Sequence, residues 1–206
     1  DFGFNLHDQD IWYAAGNSEK PASISFLAPS YNEEKETDQK RKRSMQIIVS
    51  MNRILQSFIP GQTAKYFDDF MPTAFGDNIQ KKGTSTILIE SGGQYNDIEK
   101  QYIRKLNTII LLHSFKVISD DSYLSEKEQE YSAIPFNVKN KLFDYIIRGC
   151  KINGVQGKYS ADIGIRNVAE SDKDRYEISD IGDLSYYYGF EEKHGAGMLF
   201  EALKIG

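Results

Sequence analysis

A single cysteine, Cys150, leaves this chain without an internal disulfide or a cysteine-built metal site. Nothing in it reports an oxidising compartment; the compartment stays open, with the cytoplasm weakly favoured. No apolar run approaches the roughly 20 residues of a membrane-spanning helix. Basic charge is also short: 25 Lys and Arg stand against 30 Asp and Glu, for a net charge of −5, and neither half carries the excess that phosphate binding needs. Nucleic acid is therefore not expected as a partner. The nucleophile motifs are missing too. Ser91 follows Ile89 rather than a glycine two positions earlier, so there is no Gly-x-Ser-x-Gly elbow, and Cys150 has no histidine near it. The chain opens inside a strand pattern without an initiating methionine, as a fragment or trimmed product does.

What is present is an ordinary globular composition, 40% hydrophobic and 13% aromatic, in a length that suits one ample core or two smaller ones. A first strand spans about residues 2–7. Residues 22–28 (ASISFLA) make a second before the stop at Pro29. From Thr37 to Phe58 the residues Met45, Ile48, Val49, Met51, Ile54, Leu55 and Phe58 recur at helical spacing, and Pro60-Gly61 ends the run. Residues 63–83 are expected to form an irregular loop. The strand TSTILIE follows, and then a second long helix with Asn96 or Asp97 at its start and Ile98, Tyr102, Leu106, Ile109, Ile110, Leu112 and Phe115 along it. Strands alternating with helices are α/β grammar, read here as part of a mixed sheet flanked by helices.

Two of these strands end on residues that do chemistry: the first runs into His7, and Ile87-Leu88-Ile89 runs into Glu90, followed by Ser91-Gly92-Gly93. In open α/β sheets ligands gather outside the carboxyl ends of strands. A charge closing an apolar run must also reach a cleft or solvent, and the two glycines let the backbone turn sharply there. The wording FNLHDQ and ILIESGG resembles the zinc carboxypeptidase family, the carboxypeptidase A-like metallopeptidases. It does so over residues 1–118, as the C-terminal half of that catalytic domain.

The resemblance implies a zinc-dependent carboxypeptidase acting on a peptide or peptide-like substrate. It makes His7 one ligand of a zinc ion and Glu90 the general base that takes a proton from zinc-bound water. Asp8 and Gln9 could orient the His7 ring. Tyr66 is implied as the substrate-contacting tyrosine, and Asp77, in Phe75-Gly76-Asp77, as either a pocket residue or a structural one. The family's His-x-x-Glu pair and its Asn-Arg carboxylate clamp are absent from this sequence. The expectation is thus that the remaining ligands lie outside this chain, that the chain alone is inactive, and that it associates with the missing N-terminal half or with itself through an unpaired sheet edge. The alternative is a non-catalytic binding module built on the same half-sheet.

Other residues read more plainly. His113 falls beside the apolar stripe of the second helix and is expected to pack or face solvent, and His194 reads as a turn residue. Lys40-Arg41-Lys42-Arg43 opens a helix among acidic residues and reads as a solvated face. Residues 119–134 are polar enough to be a linker. Residues 135–206 carry short strand patterns, LFDYIIRG, SADIGIR, RYEISDIGDL and GMLFEALKI, expected to form a small β-sandwich-like domain. Its wording also resembles the small β domain beside the barrel of amidohydrolase-type enzymes, but that class needs a barrel and a His-x-His near its start, and neither is present.

Overall fold

The computed structural model describes residues 1–154, 157–168 and 175–201. The fold is mixed α/β, and the chain divides between Lys139 and Asn140 into two compact units.

In chain order the first unit contains β1 (Phe2–Asp8), β2 (Ala14–Ala15), β3 (Ile24–Leu27), α1 (Gln39–Leu55), β4 (Thr63–Lys65), α2 (Phe75–Lys81) and β5 (Ser85–Ser91). After these come α3 (Gln101–Ser119), a 3-10 turn (Ser122–Ser125), α4 (Glu128–Ala133) and β6 (Asn137–Val138). The main sheet has the order β1-β5-β3-β4. β1 runs parallel to β5, β5 antiparallel to β3, and β3 parallel to β4. β2 and β6 form a separate two-stranded ribbon.

Strand alternation divides the residues of this sheet between its faces. Phe2, Phe4, Ile24, Phe26, Ile87 and Ile89 belong to the core shared with Ile47, Ile48 and Met51 of α1 and Ile103, Leu106 and Ile110 of α3. Truncating one fully buried member, such as Phe26 to Ala, costs about 3–5 kcal/mol. The alternate residues, among them Asn5, His7, Thr86 and Glu90, point to the opposite face. There Gly76 of α2 comes close to the Asn5 amide and the Thr86 methyl.

α1 buries Ile48, Val49, Met51 and Leu55 of its expected stripe, whereas α3 buries Ile103, Leu106, Ile110 and Val117 and leaves Leu112 and Phe115, expected on the stripe, exposed; each helix has a carboxylate at its start. Asp38 Oδ1 accepts from the amides of Lys40 and Arg41 at 3.0 and 2.8 Å. α3 begins at Gln101, later than expected, yet Asp97 still serves it: its Oδ2 accepts from Tyr102 and Ile103 at 2.9 and 3.1 Å. Ile98, expected on the helix, lies ahead of it and is exposed.

Three expectations need correction here. The segment 63–83 is not one irregular loop, because β4 and α2 lie within it. Arg41 does not belong to a solvated face. It is fully buried, donating to the carbonyls of Ala28, Lys35 and Glu36 and to the Asp68 carboxylate, so one member of a basic run is spent tying three backbone carbonyls. Residues 119–134, read as a linker, place Tyr123, Tyr131 and Ile134 in the first unit's core. The Tyr131 hydroxyl accepts from the Ala28 amide at 3.2 Å, 103 residues away in the chain.

The second unit contains β7 (Leu142–Gly154), β8 (Gly157–Asn167), β9 (Tyr176–Gly182), β10 (Tyr188–His194) and β11 (Leu199–Glu201). Its described residues form one five-stranded sheet where a sandwich was expected. The long β7 accounts for this: β8 pairs antiparallel with it, and β10 and β11 pair parallel with successive stretches of it. Arg148 binds Glu192 through two nitrogens, Asp162 through a third bond, and the carbonyls of Leu184 and Tyr187. His194 is the last residue of β10 and not a turn residue. The end of GMLFEALKI, residues 202–205, lies outside the described residues.

Candidate functional site

β1 and β5 run in the same direction, so their carboxyl ends coincide. The register pairs His7 with Glu90 and Asp8 with Ser91. Both strands present these residues at the end of the sheet where loops begin. His7 Nδ1 lies 3.9 Å from Glu90 Oε1. The two groups differ in exposure, with the imidazole half open to solvent and the carboxylate 11% exposed. Burial pushes the Glu90 carboxyl above its usual range, a shift that His7 and Lys100 oppose and Asp8 reinforces.

Beneath Glu90 is Ser25 of β3, its cross-strand partner. Beyond it the chain is tightly packed. A side-chain carbon on Gly92 would sit 2.1 Å from the Ala22 carbonyl oxygen, and one on Gly93 would sit 2.5 Å from Ile11 Cβ. Neither glycine adopts a positive φ. The pair is required by close approach, not by the sharp turn that the sequence suggests.

Tyr66 follows β4 directly, its amide donating to Phe26 at 2.8 Å. Its ring lies 6.4 Å from that of Tyr13. Burial and the hydrogen bond to Tyr13 push the Tyr66 hydroxyl to about 12, so it stays protonated at neutral pH. Tyr66 and Tyr13, with Asp8, Gln9, Asp10 and Glu90, line a small cavity of about 160 Å³. It is polar and large enough for a few waters or the end of a substrate chain.

The structure thus brings His7, Glu90 and Tyr66 to one end of the sheet. Asp77 is elsewhere. It sits in the first turn of α2, buried, and its Oδ2 accepts from the Met71 amide at 2.8 Å. Burial pushes its carboxyl up, and it does not line the cavity. Asp8 and Gln9 also have different partners from those expected. Asp8 pairs with Lys100, while the buried Gln9 donates to the Ala22 carbonyl at 3.3 Å and accepts from Asn137 at 2.8 Å.

His113 is distant from this chemistry in kind: its Nε2 contacts Ser50 Oγ at 2.7 Å, joining α3 to α1. A larger groove, of about 440 Å³, is not the site either. It lies along α1 and residues 133–135, and Arg53 and Glu130, its charged lining residues, pair with each other.

As for a metal, the donors converging here are His7 and the acceptor Glu90. Among the described residues no group of three or more ligating side chains converges. A tetrahedral zinc site needs three protein ligands, so the donors present fit one corner of such a site and do not close it.

Sequence reasoning missed Tyr13, Asn137, Ser25 and Lys100. None belongs to a motif, and each is placed by pairing between distant segments. Comparison with family models, curated proteins and solved structures returns no match.

Proposed function

We propose that this chain carries one half of a carboxypeptidase-type hydrolytic site, with His7 as a metal donor and Glu90 as the proton acceptor. The observation that carries the reading is the register of His7 with Glu90 at the coincident ends of two parallel strands. A base and a ligand of one water need to stand side by side, and the 3.9 Å between His7 Nδ1 and Glu90 Oε1 supports that reading. Burial favours the proton on Glu90, which suits a group that takes one from water and passes it on to a leaving amine. The protonated Tyr66 hydroxyl, beside the same cavity, suits a hydrogen bond to a peptide or peptide-like substrate. A zinc ion, when bound, supplies the polarisation that brings its water to a pKa near 7. Its other ligands and the clamp for a substrate carboxylate come, in this reading, from outside the chain.

The test is metal content by elemental analysis, made on this chain and on the polypeptide that includes whatever is encoded ahead of Asp1, each beside its His7→Ala variant. About one zinc per longer polypeptide, lost in His7→Ala, together with release of C-terminal residues from peptides, is the expected result. Absence of zinc from the longer polypeptide overturns the proposal and leaves a binding module.

A further inference from the structure

Lys100 is the residue just before α3, and its backbone is left-handed, at φ 52° and ψ 33°. That conformation is costly for a side chain with a Cβ, and such outliers persist where the surroundings impose them. Its ammonium group explains the position. Nζ donates to Asp8 Oδ1 at 2.5 Å, to the Gln9 carbonyl at 2.9 Å and to the Ser91 carbonyl at 3.1 Å. All three hydrogens are used.

The acceptors are not a surface ion pair of the ordinary kind. Asp8 is 76% exposed, and a pair with so open a carboxylate contributes little. The other two acceptors are main-chain carbonyls. One lies just past the end of β1 and the other closes β5, so a single cation spans the strands that carry His7 and Glu90. The Gln9 amide, donating to Ser91 at 2.9 Å, closes the same junction from within.

We infer that Lys100 is a positioning residue, whose ammonium group locks the ends of β1 and β5 together and so holds His7 and Glu90 in register. In its catalytic consequence the inference rests on the reading under Proposed function; its structural content does not. A misplacement of about 1 Å at a reacting group costs roughly 100-fold in rate. The Lys100 ammonium bonds to Asp8, Gln9 and Ser91 and not to His7 or Glu90, so its removal is expected to lower kcat and leave KM in place.

The test uses two variants. Lys100→Met keeps the aliphatic stem and removes the charge. Lys100→Gly removes the side chain and relieves the left-handed backbone, which offsets part of what the lost bonds cost. Amide hydrogen exchange on this chain alone is the first readout. The expected result is a loss of protection of about tenfold or more at Gln9 and Gly92 in both variants, with the amides of α1 unchanged. Unchanged protection at Gln9 and Gly92 overturns the inference. Protection lost equally along α1 overturns it too, because Lys100 then stabilises the whole unit and positions nothing. The second readout is kinetics on the longer polypeptide, where kcat falls about 10- to 100-fold with KM within about twofold. Absence of zinc and of hydrolysis in the native longer polypeptide counts against the proposed function alone, and the exchange data still decide the role of Lys100.

Discussion

Ser25 and Glu90 face each other across the antiparallel β3–β5 pair, and the Ser25 hydroxyl is fully buried with no hydrogen-bond partner among the described residues. A buried hydroxyl left unpaired costs about 1–3 kcal/mol. Ser25→Ala removes that cost along with little volume. Its stability in urea melts is expected to equal or exceed that of the native chain, within about 0.5 kcal/mol on the losing side. A loss above about 1 kcal/mol means that the hydroxyl is bonded.

Glu90 itself gives a pH-dependent prediction. Its folded-state pKa is raised by burial above the ordinary 4.5, so the folded state holds the proton more tightly than the unfolded state. Stability from this group is greatest below pH 4.5 and declines as pH rises through the folded value. Glu90→Gln is therefore expected to raise Tm at pH 7 by more than at pH 4, while reducing hydrolysis by the longer polypeptide about 10²- to 10⁴-fold. Equal Tm changes at both pH values contradict the raised pKa.

His113 is shifted the other way. Burial, with Lys116 adding to it, lowers its folded pKa below 6.5, against the pull of Glu126 and Asp120. The unfolded chain then binds the proton more tightly. The contribution is complete above about pH 6.5 and is lost as pH falls through the folded value. In urea melts between pH 8 and pH 5 the native chain should lose more stability than His113→Gln, and parallel losses refute this.

Gly92 tests close approach at the base of the site. Its amide donates to the Ser23 carbonyl at 3.0 Å, and an added Cβ has no space beside Ala22. Gly92→Ala is expected to cost about 1–3 kcal/mol or more through forced backbone shifts. Gly182, where an added carbon meets nothing within 4 Å, is the control, with a change within about 0.5 kcal/mol. Calorimetric or denaturant unfolding of both separates crowding from a generic glycine effect.

The elements legible in the sequence were those with strong periodicity and enough length to average out local exceptions. α1 and α3 are signalled by their apolar repeats, although Leu112 and Phe115 of the second repeat are exposed, and β1, β3 and β5 are apolar runs bounded by polar or proline stops. α2 has seven residues, no side-chain cap and an aromatic, glycine-containing start, so it gives no repeat to detect. The polar composition of 119–134 reads as a linker because two tyrosines and an isoleucine do all of its burying.

Within the candidate site, strand ends single out His7 and Glu90, and Tyr66 is singled out only by the resemblance. Lys100 and Asn137 could not. A lysine in a polar turn has no local signal, and its role depends on which carbonyls arrive beside it from 92 residues earlier in the chain. Arg41 is illegible for the same reason: the basic residues beside it are only half-buried, while its partners come from other segments.

The pairing of β1 with β5 sets when the site can exist. Asp8 meets Lys100 across 92 residues, and Gln9 meets Asn137 across 128. Closing loops of this size must be completed before the contacts repay the lost chain entropy. Parallel, non-local pairing of this kind also places a domain among the slower folders. His7 cannot meet its register partner Glu90 until the segment through Ser91 has been made. A chain cut short of Asn137 still lacks a bond that holds Gln9, so the end of the sheet that carries His7 and Glu90 is complete only when nearly the whole first unit has been made.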